Sequence, residues 1–183
     1  MSVAYLAGLQ PSEHPPDFGK YIAKANLGAD PIQTLEEQSE RMRTLLGALP
    51  AEKRLYRYAP GKWSVQEIIG HVTDGERIFA YRALRIARND QTPLPGFDQD
   101  PYVVAAEADA REWSSLVGEW DAVRLSTILM LRNWPAAAWT RMGVSNDAPA
   151  SARALVAVMI GHVEHHLAIL REHYFAPTSG TVI

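Results

Sequence analysis

Three histidines in this chain have the type and spacing to hold a divalent metal. His162 and His166 lie four apart in MIGHVEHHLAIL, and His71 lies in GKWSVQEIIGHVTDGER. On a helix, residues four apart share a face about 6 Å apart along the axis. His71 belongs to a different helical stretch and supplies a third imidazole. Three neutral imidazoles with open positions are how proteins hold a catalytic divalent ion. The competing reading is three hydrogen-bonded core histidines; a pair at i,i+4 with a third on another helix favours metal. His165 is the alternative register, either replacing His166 at i+3 or orienting a ligand through a hydrogen bond.

Around these sit other groups able to do chemistry. At 100° per residue, Arg82 returns to within about 20° of His71, Arg85 to within about 40° and Asp74 to within about 60°. Asp74 is therefore a candidate catalytic base for a bound thiol or water, or a carboxylate that accepts a hydrogen bond from a ligand and orients it, against a plain carboxylate paired with Arg77 or Arg82. Arg82 and Arg85 are candidates for binding an anionic cosubstrate, against a simple interhelix ion pair. From His162, Leu155, His166, Ile169 and His173 fall within about 40°, and Val158, Met159 and His165 within about 60°, so the pair faces the core. Glu164 points the other way. His173 reads as a C-terminal residue answering the helix dipole, and His14 as an exposed arm residue.

Four long helices must position these groups. The first runs from about Asp30 to Leu49, with Asp30 as N-cap and Pro31 at the first helical position. The second starts at a capping box of Ser64 and Glu67, with Trp63 and Ile68 placed for a hydrophobic staple, and runs to about Arg88. The aperiodic stretch NDQTPLPGFDQDPY follows, long enough to let the helices it joins run parallel. A short helical piece precedes the third helix, Glu112 to Asn133, which Trp134-Pro135 ends. The fourth runs from about Ser151 to Tyr174, and no convincing alternating strand is present. The fold is thus all-α, a four-helix bundle. An irregular, surface-wrapping arm occupies 1–30, the bundle 31–176 and a tail 177–183. The segment Pro93 to Pro101 is placed to cover the site, with Asp98 and Asp100 stabilising turns rather than binding metal.

Composition narrows the chemistry. There is no cysteine, which removes disulfides, thiolate metal ligands and a cysteine nucleophile. The formal net charge of −3 gives no global electrostatic case for nucleic acid. The N-terminus lacks a basic region followed by a long apolar run, and no segment is expected to span a membrane, so a cytoplasmic location fits. HVEHH is not H-E-x-x-H, and there is no Glu-x-x-His pair, nucleophile elbow, P-loop or dinucleotide fingerprint.

Taken together, GKWSVQEIIGHVTDGERIFAYRALRIARND, LPGFDQDPY and GHVEHHLAILREHY resemble the DinB/YfiT-like superfamily of metalloenzymes, from about Pro31 to Tyr174 and most closely its YfiT-like branch. The resemblance implies a four-helix bundle whose metal ligands are His71, His162 and His166. It implies one divalent ion per chain, nickel or zinc, with iron and manganese as the other candidates, and a homodimer. It also implies a small-molecule substrate and activity as a low-molecular-weight-thiol S-transferase, since characterised relatives join bacillithiol or mycothiol to electrophiles. The alternatives are a metal-dependent hydrolase and a non-catalytic metal-binding stress-response module. A fourth ligand among Asp74, His165 or Glu76 would favour the last, because structural zinc sites are closed by four protein ligands.

Overall fold

A computed structural model describes residues 5–175; residues 1–4 and the expected tail 177–183 lie outside the described residues. The described chain holds α1 (Gly19–Ile22), α2 (Pro31–Gly47), α3 (Val65–Ala87), α4 (Gln99–Ala106), α5 (Trp113–Arg132), β1 (Met142–Ser145), β2 (Ala148–Ser151) and α6 (Ala152–Ile169). A π-helical turn, Leu170–Tyr174, extends α6. The long helices begin where local chemistry directs. The Asp30 side chain accepts from the backbone N–H groups of Ile32 and Gln33. Ser64 and Glu67 form the reciprocal capping box of α3, and Ser151 caps α6 through the Ala154 N–H.

Side-chain pairs fix the helix directions. Glu36 meets Arg132 and Arg43 meets Asp121, so α2 and α5 are antiparallel. Gln66 reaches the Arg111 carbonyl and Glu76 reaches Arg124, so α3 and α5 run the same way, as the long crossover between them permits. Two apolar clusters stack along the bundle. One joins Leu35, Phe79, Ile86, Ile128 and Leu155; the other joins Leu46, Val65, Leu116, Trp120, Leu167 and Tyr174. The early residues of α3 thus lie with the late residues of α6, which makes those two helices antiparallel and brings mid-α3 level with mid-α6.

Three features differ from the sequence expectation. The N-terminal arm is no loose wrap: it contains α1 and two 3₁₀ turns, and buries Leu6, Phe18 and Ile22 in the core. It lies on α6 because Gly161 has no side chain; a Cβ there would overlap the Tyr21 carbonyl. Second, a β-hairpin precedes α6. Asn146 and Asp147 take φ of 55° and 59°, the left-handed pair that a two-residue hairpin turn needs. Each strand has only four residues and Pro149 interrupts the second, so alternation is invisible in the sequence and the Asn-Asp pair is the sole signal. Third, α6 with its extension is long and apolar enough to cross a membrane, contrary to expectation; most of it is buried inside the bundle.

The crossover is held by that hairpin. The Leu94 N–H donates to the Val144 carbonyl at 3.0 Å, and the Asn146 N–H donates to the Leu94 carbonyl at 3.0 Å. Gly96 packs on the Asn146 side chain where a Cβ would not fit. Asp98 then caps α4 by accepting from the Asp100 N–H at 3.1 Å.

Candidate metal centre

His71 projects from α3, and His162 and His166 from consecutive turns of α6, into the middle of the bundle. One ligand-type nitrogen from each lies within 4.8 Å of the others. The Nε2 atoms of His71 and His162 are 2.9 Å apart. Ring centroids are 4.7 to 4.9 Å apart for all three pairs, each pair edge-to-face. All three side chains are buried. Metal–imidazole bonds of about 2.0–2.1 Å put two ligands of one ion roughly 3 Å apart. The His71–His162 pair has that spacing, and the third nitrogen lies within 4.8 Å of both.

Electrostatics favours ligands over acids. Burial pushes the His71 pKa down to about 4, with His165 adding repulsion. Burial also holds His162 and His166 well below the ordinary histidine value, and the neighbouring histidines reinforce it. All three are therefore neutral at pH 7, with lone pairs available. His166 Nδ1 is buried with no hydrogen-bond partner. An orphaned buried nitrogen in a cluster of neutral imidazoles, with no carboxylate within the cluster, fits a divalent cation.

Several residues that hold this geometry carry no chemistry of their own, and spacing arguments pass over them. Gly75 lies flat against the His162 ring; a Cβ there would sit 2.9 Å from Cε1 and 3.3 Å from Nδ1. Phe79 and Tyr21 meet the His162 ring at centroid distances of 5.8 and 5.2 Å. Trp63 leans on His71 at 4.8 Å. The only signal for Gly75 is its place in mid-helix, where glycine is unfavourable without a packing reason.

Two cavities flank the triad. One, of about 380 Å³, is lined by His71, His162, Gly75, Phe79, Arg82 and Phe97, among others. The other, of about 320 Å³, is lined by His165, His166, Trp63, Tyr58, Lys62 and Tyr174, among others. Lys20, Tyr21 and Gln99 belong to both walls. The segment Pro93 to Pro101 contributes Phe97, Asp98, Gln99 and Asp100 to these walls, so it does border the histidines.

The remaining sequence candidates separate. Arg82 is buried on the wall of the larger cavity. Arg85 turns away and pairs with Asp90 and the Tyr81 hydroxyl. Asp74 faces Arg77 at 3.5 Å and lines neither cavity; burial raises its pKa and Arg77 opposes the rise. Glu76 is committed to Arg124 on another face of α3. Glu164 points to Arg41 and Gln38. His165 is half-buried beside the cluster, its ring 5.0 Å from that of His166. His173 stacks on Tyr58 with centroids 4.4 Å apart.

Comparison with known proteins places this arrangement. The family model of the DinB superfamily matches residues 34–170. The chain belongs to the DinB superfamily. A curated Oceanobacillus iheyensis protein, named as a putative metal-dependent hydrolase, is 23% identical over 79 residues. That match spans 43% of this chain and 45% of the relative, so the chain spans less than half the length of that relative. Among solved structures, YfiT from Bacillus subtilis, described as a probable metal-dependent hydrolase with an unusual four-helix bundle topology, superposes with a TM-score of 0.70. It is 16% identical, with 93% of this chain and 95% of YfiT covered. A mycothiol-dependent maleylpyruvate isomerase superposes with a TM-score of 0.64 at 11% identity, over 75% of this chain and 58% of the isomerase. At these identities the two structures establish the bundle fold that this DinB-superfamily chain shares.

Proposed function

We propose that this chain is a metal-dependent enzyme in which His71, His162 and His166 hold one divalent ion, nickel or zinc in first place, and that it transfers a low-molecular-weight thiol to a small electrophile. The bound ion supplies Lewis acidity, which makes a thiol or water nucleophilic at neutral pH. The chain's own part is to keep the three imidazoles neutral, to fix the His162 ring between Gly75 and Phe79, and to close the site with Tyr21 and Gln99. The balance of the reaction is simple. The thiol proton passes to solvent, the sulfur–carbon bond forms, and the bond from that carbon to the leaving group breaks, its electron pair going with the leaving group.

The observation that carries the transferase reading is the pair of adjoining cavities at one histidine cluster, one lined by His71 and His162 and the other by His166. Two reactants need two sites, whereas water needs none of its own. Hydrolysis is the second reading, favoured by the descriptions of the Oceanobacillus protein and of YfiT. A purely structural metal is disfavoured, because among the described residues the cluster offers three ligands and no fourth.

Metal content by mass spectrometry on tag-free protein, wild type beside His162→Ala, tests the centre. About one ion per chain, lost in the variant, is expected; no ion after incubation with nickel, zinc, manganese or iron would refute it. Product analysis of the loaded enzyme with monochlorobimane, with and without a panel of small thiols, separates the activities. Accelerated thioether formation supports transfer, and turnover of ester or amide substrates in water alone supports hydrolysis.

A further inference from the structure

Among the described residues two arginines are buried, Arg82 and Arg124, and they are satisfied very differently. Arg124 is bound twice by Glu76, at 2.9 Å each, and donates further to Gln38 and to the Leu35 carbonyl. Arg82 is 4% exposed, yet among the described residues it has no carboxylate within ion-pair distance. Its one hydrogen bond runs from Nη2 to the Pro95 carbonyl at 2.5 Å. A guanidinium has five N–H donors, and burying a charge without a counter-ion is costly. Burial pushes the Arg82 pKa below the ordinary arginine value.

Its surroundings say what is missing. The guanidinium lies over the rings of Phe97 and Phe79, at 5.6 and 6.0 Å from their centroids. It lines the larger cavity, whose walls also carry Phe18, Gly75, His71 and His162, and also a cavity of about 340 Å³ under the crossover, with Tyr81, Leu94 and Tyr102, that reaches none of the histidines. The other charged groups on this wall are Lys20, exposed at the mouth, and Asp98, whose carboxylate caps α4. The buried part of the cavity therefore combines one cation, aromatic sides and the metal-ligand histidines at its far end.

We propose that the larger cavity binds the electrophilic substrate as a small carboxylic acid, with its carboxylate on Arg82, its apolar body between Phe79 and Phe97, and its reacting end at the histidines. One planar guanidinium matches one carboxylate in a forked pair. The cavity sets the length. The Phe79 ring centroid is 6.0 Å from the Arg82 guanidinium carbon and 5.8 Å from the His162 ring centroid, so guanidinium and imidazole are at most about 12 Å apart. With roughly 4 Å taken by the forked contact, at most about 8 Å remains. That limits the body to one aromatic ring or a chain of no more than about six atoms at ~1.5 Å per bond. The assignment of the reacting end rests on the enzyme reading above; the carboxylate site does not.

The test is direct binding of phenylacetate and hexanoate, each beside its neutral amide, by calorimetry on the protein as purified and after metal removal. Wild type is expected to prefer each acid at least tenfold over its amide in both preparations. Arg82→Gln should lose that preference while keeping its melting temperature and metal content, and Arg85→Gln should keep it. If Arg82→Gln does not fold, the wild-type Arg82 Nε–Hε resonance, assigned with Arg82→Lys, should shift with phenylacetate and stay fixed with phenylacetamide. Equal affinity for acid and amide, no binding of either acid, preference retained in Arg82→Gln, or an unmoved Arg82 resonance each overturns the proposal. Tighter binding of inorganic phosphate than of either acid overturns the carboxylate assignment. Metal retained without acid preference sinks this site alone; acid preference in a protein that takes up no nickel, zinc, manganese or iron sinks the metal centre alone.

Discussion

Replacing Gly75 with alanine should separate metal affinity from fold stability. The added methyl would start 2.9 Å from His162 Cε1 and 3.3 Å from Nδ1, whereas carbon contacts settle near 3.5–4.0 Å. The ring must retreat by about 0.6–1 Å. It is boxed by Tyr21, Phe79, His71 and His166, so the retreat displaces its nitrogen from the common point. Ligand sites tolerate about 0.5 Å, and misoriented ligands typically lose 10- to 100-fold in metal affinity, or about 1.4–2.7 kcal/mol. The fold responds differently. Alanine in a helix interior gains about 0.5–1 kcal/mol over glycine, and overpacking costs about 1–3 kcal/mol. The metal-free variant should therefore be destabilised by no more than about 2.5 kcal/mol. Chelator competition with zinc and nickel measures the first effect, and urea unfolding of metal-free protein the second. A folded Gly75→Ala protein with wild-type affinity for both metals would refute the idea that the α3 backbone orients His162.

Other perturbations follow from the same geometry. Glu76→Gln leaves the fully buried Arg124 without its carboxylate and should cost about 3–5 kcal/mol in urea unfolding, with little loss of metal affinity per folded molecule. Metal-free protein should lose stability as the pH falls from about 6.5 to about 4. Over that range the unfolded state binds a proton that folded His71, its pKa lowered to about 4, does not. The effect should be about 3 kcal/mol for His71, with His162 and His166 adding in the same direction; pH-independent unfolding midpoints would contradict it. Gly161→Ala forces the arm off α6 at the Tyr21 carbonyl and should raise proteolytic cleavage within residues 5–25 before the bundle melts. Asp74→Asn, at a partly exposed weak pair, should change stability by no more than about 0.5 kcal/mol and leave metal content unchanged.

What the chain encodes locally was legible in it. Asp30-Pro31, Ser64 with Glu67, and Ser151 mark helix starts because each cap is made within four residues of the groups it satisfies. The i,i+4 spacing placed His162 and His166 on the core face because helix geometry alone determines it. The long crossover permitted α3 and α5 to run in parallel, and the Gln66–Arg111 and Glu76–Arg124 contacts show that they do. Contacts between distant segments decided the rest. Arg82 and Arg85 lie at similar angles on α3, and Asp74 not much further round. Arg82 meets the Pro95 carbonyl because the crossover is pinned to a hairpin fifty residues on, Arg85 meets Asp90, and Asp74 meets Arg77. An angle around a helix says which side a residue takes, but the segment that covers that side is chosen elsewhere in the chain. For the same reason the arm beside Gly161, and the glycine under the His162 ring, became visible only once the helices were packed. Sequence determined the bundle and the three core-facing histidines; tertiary packing determined how their rings are held and what surrounds them.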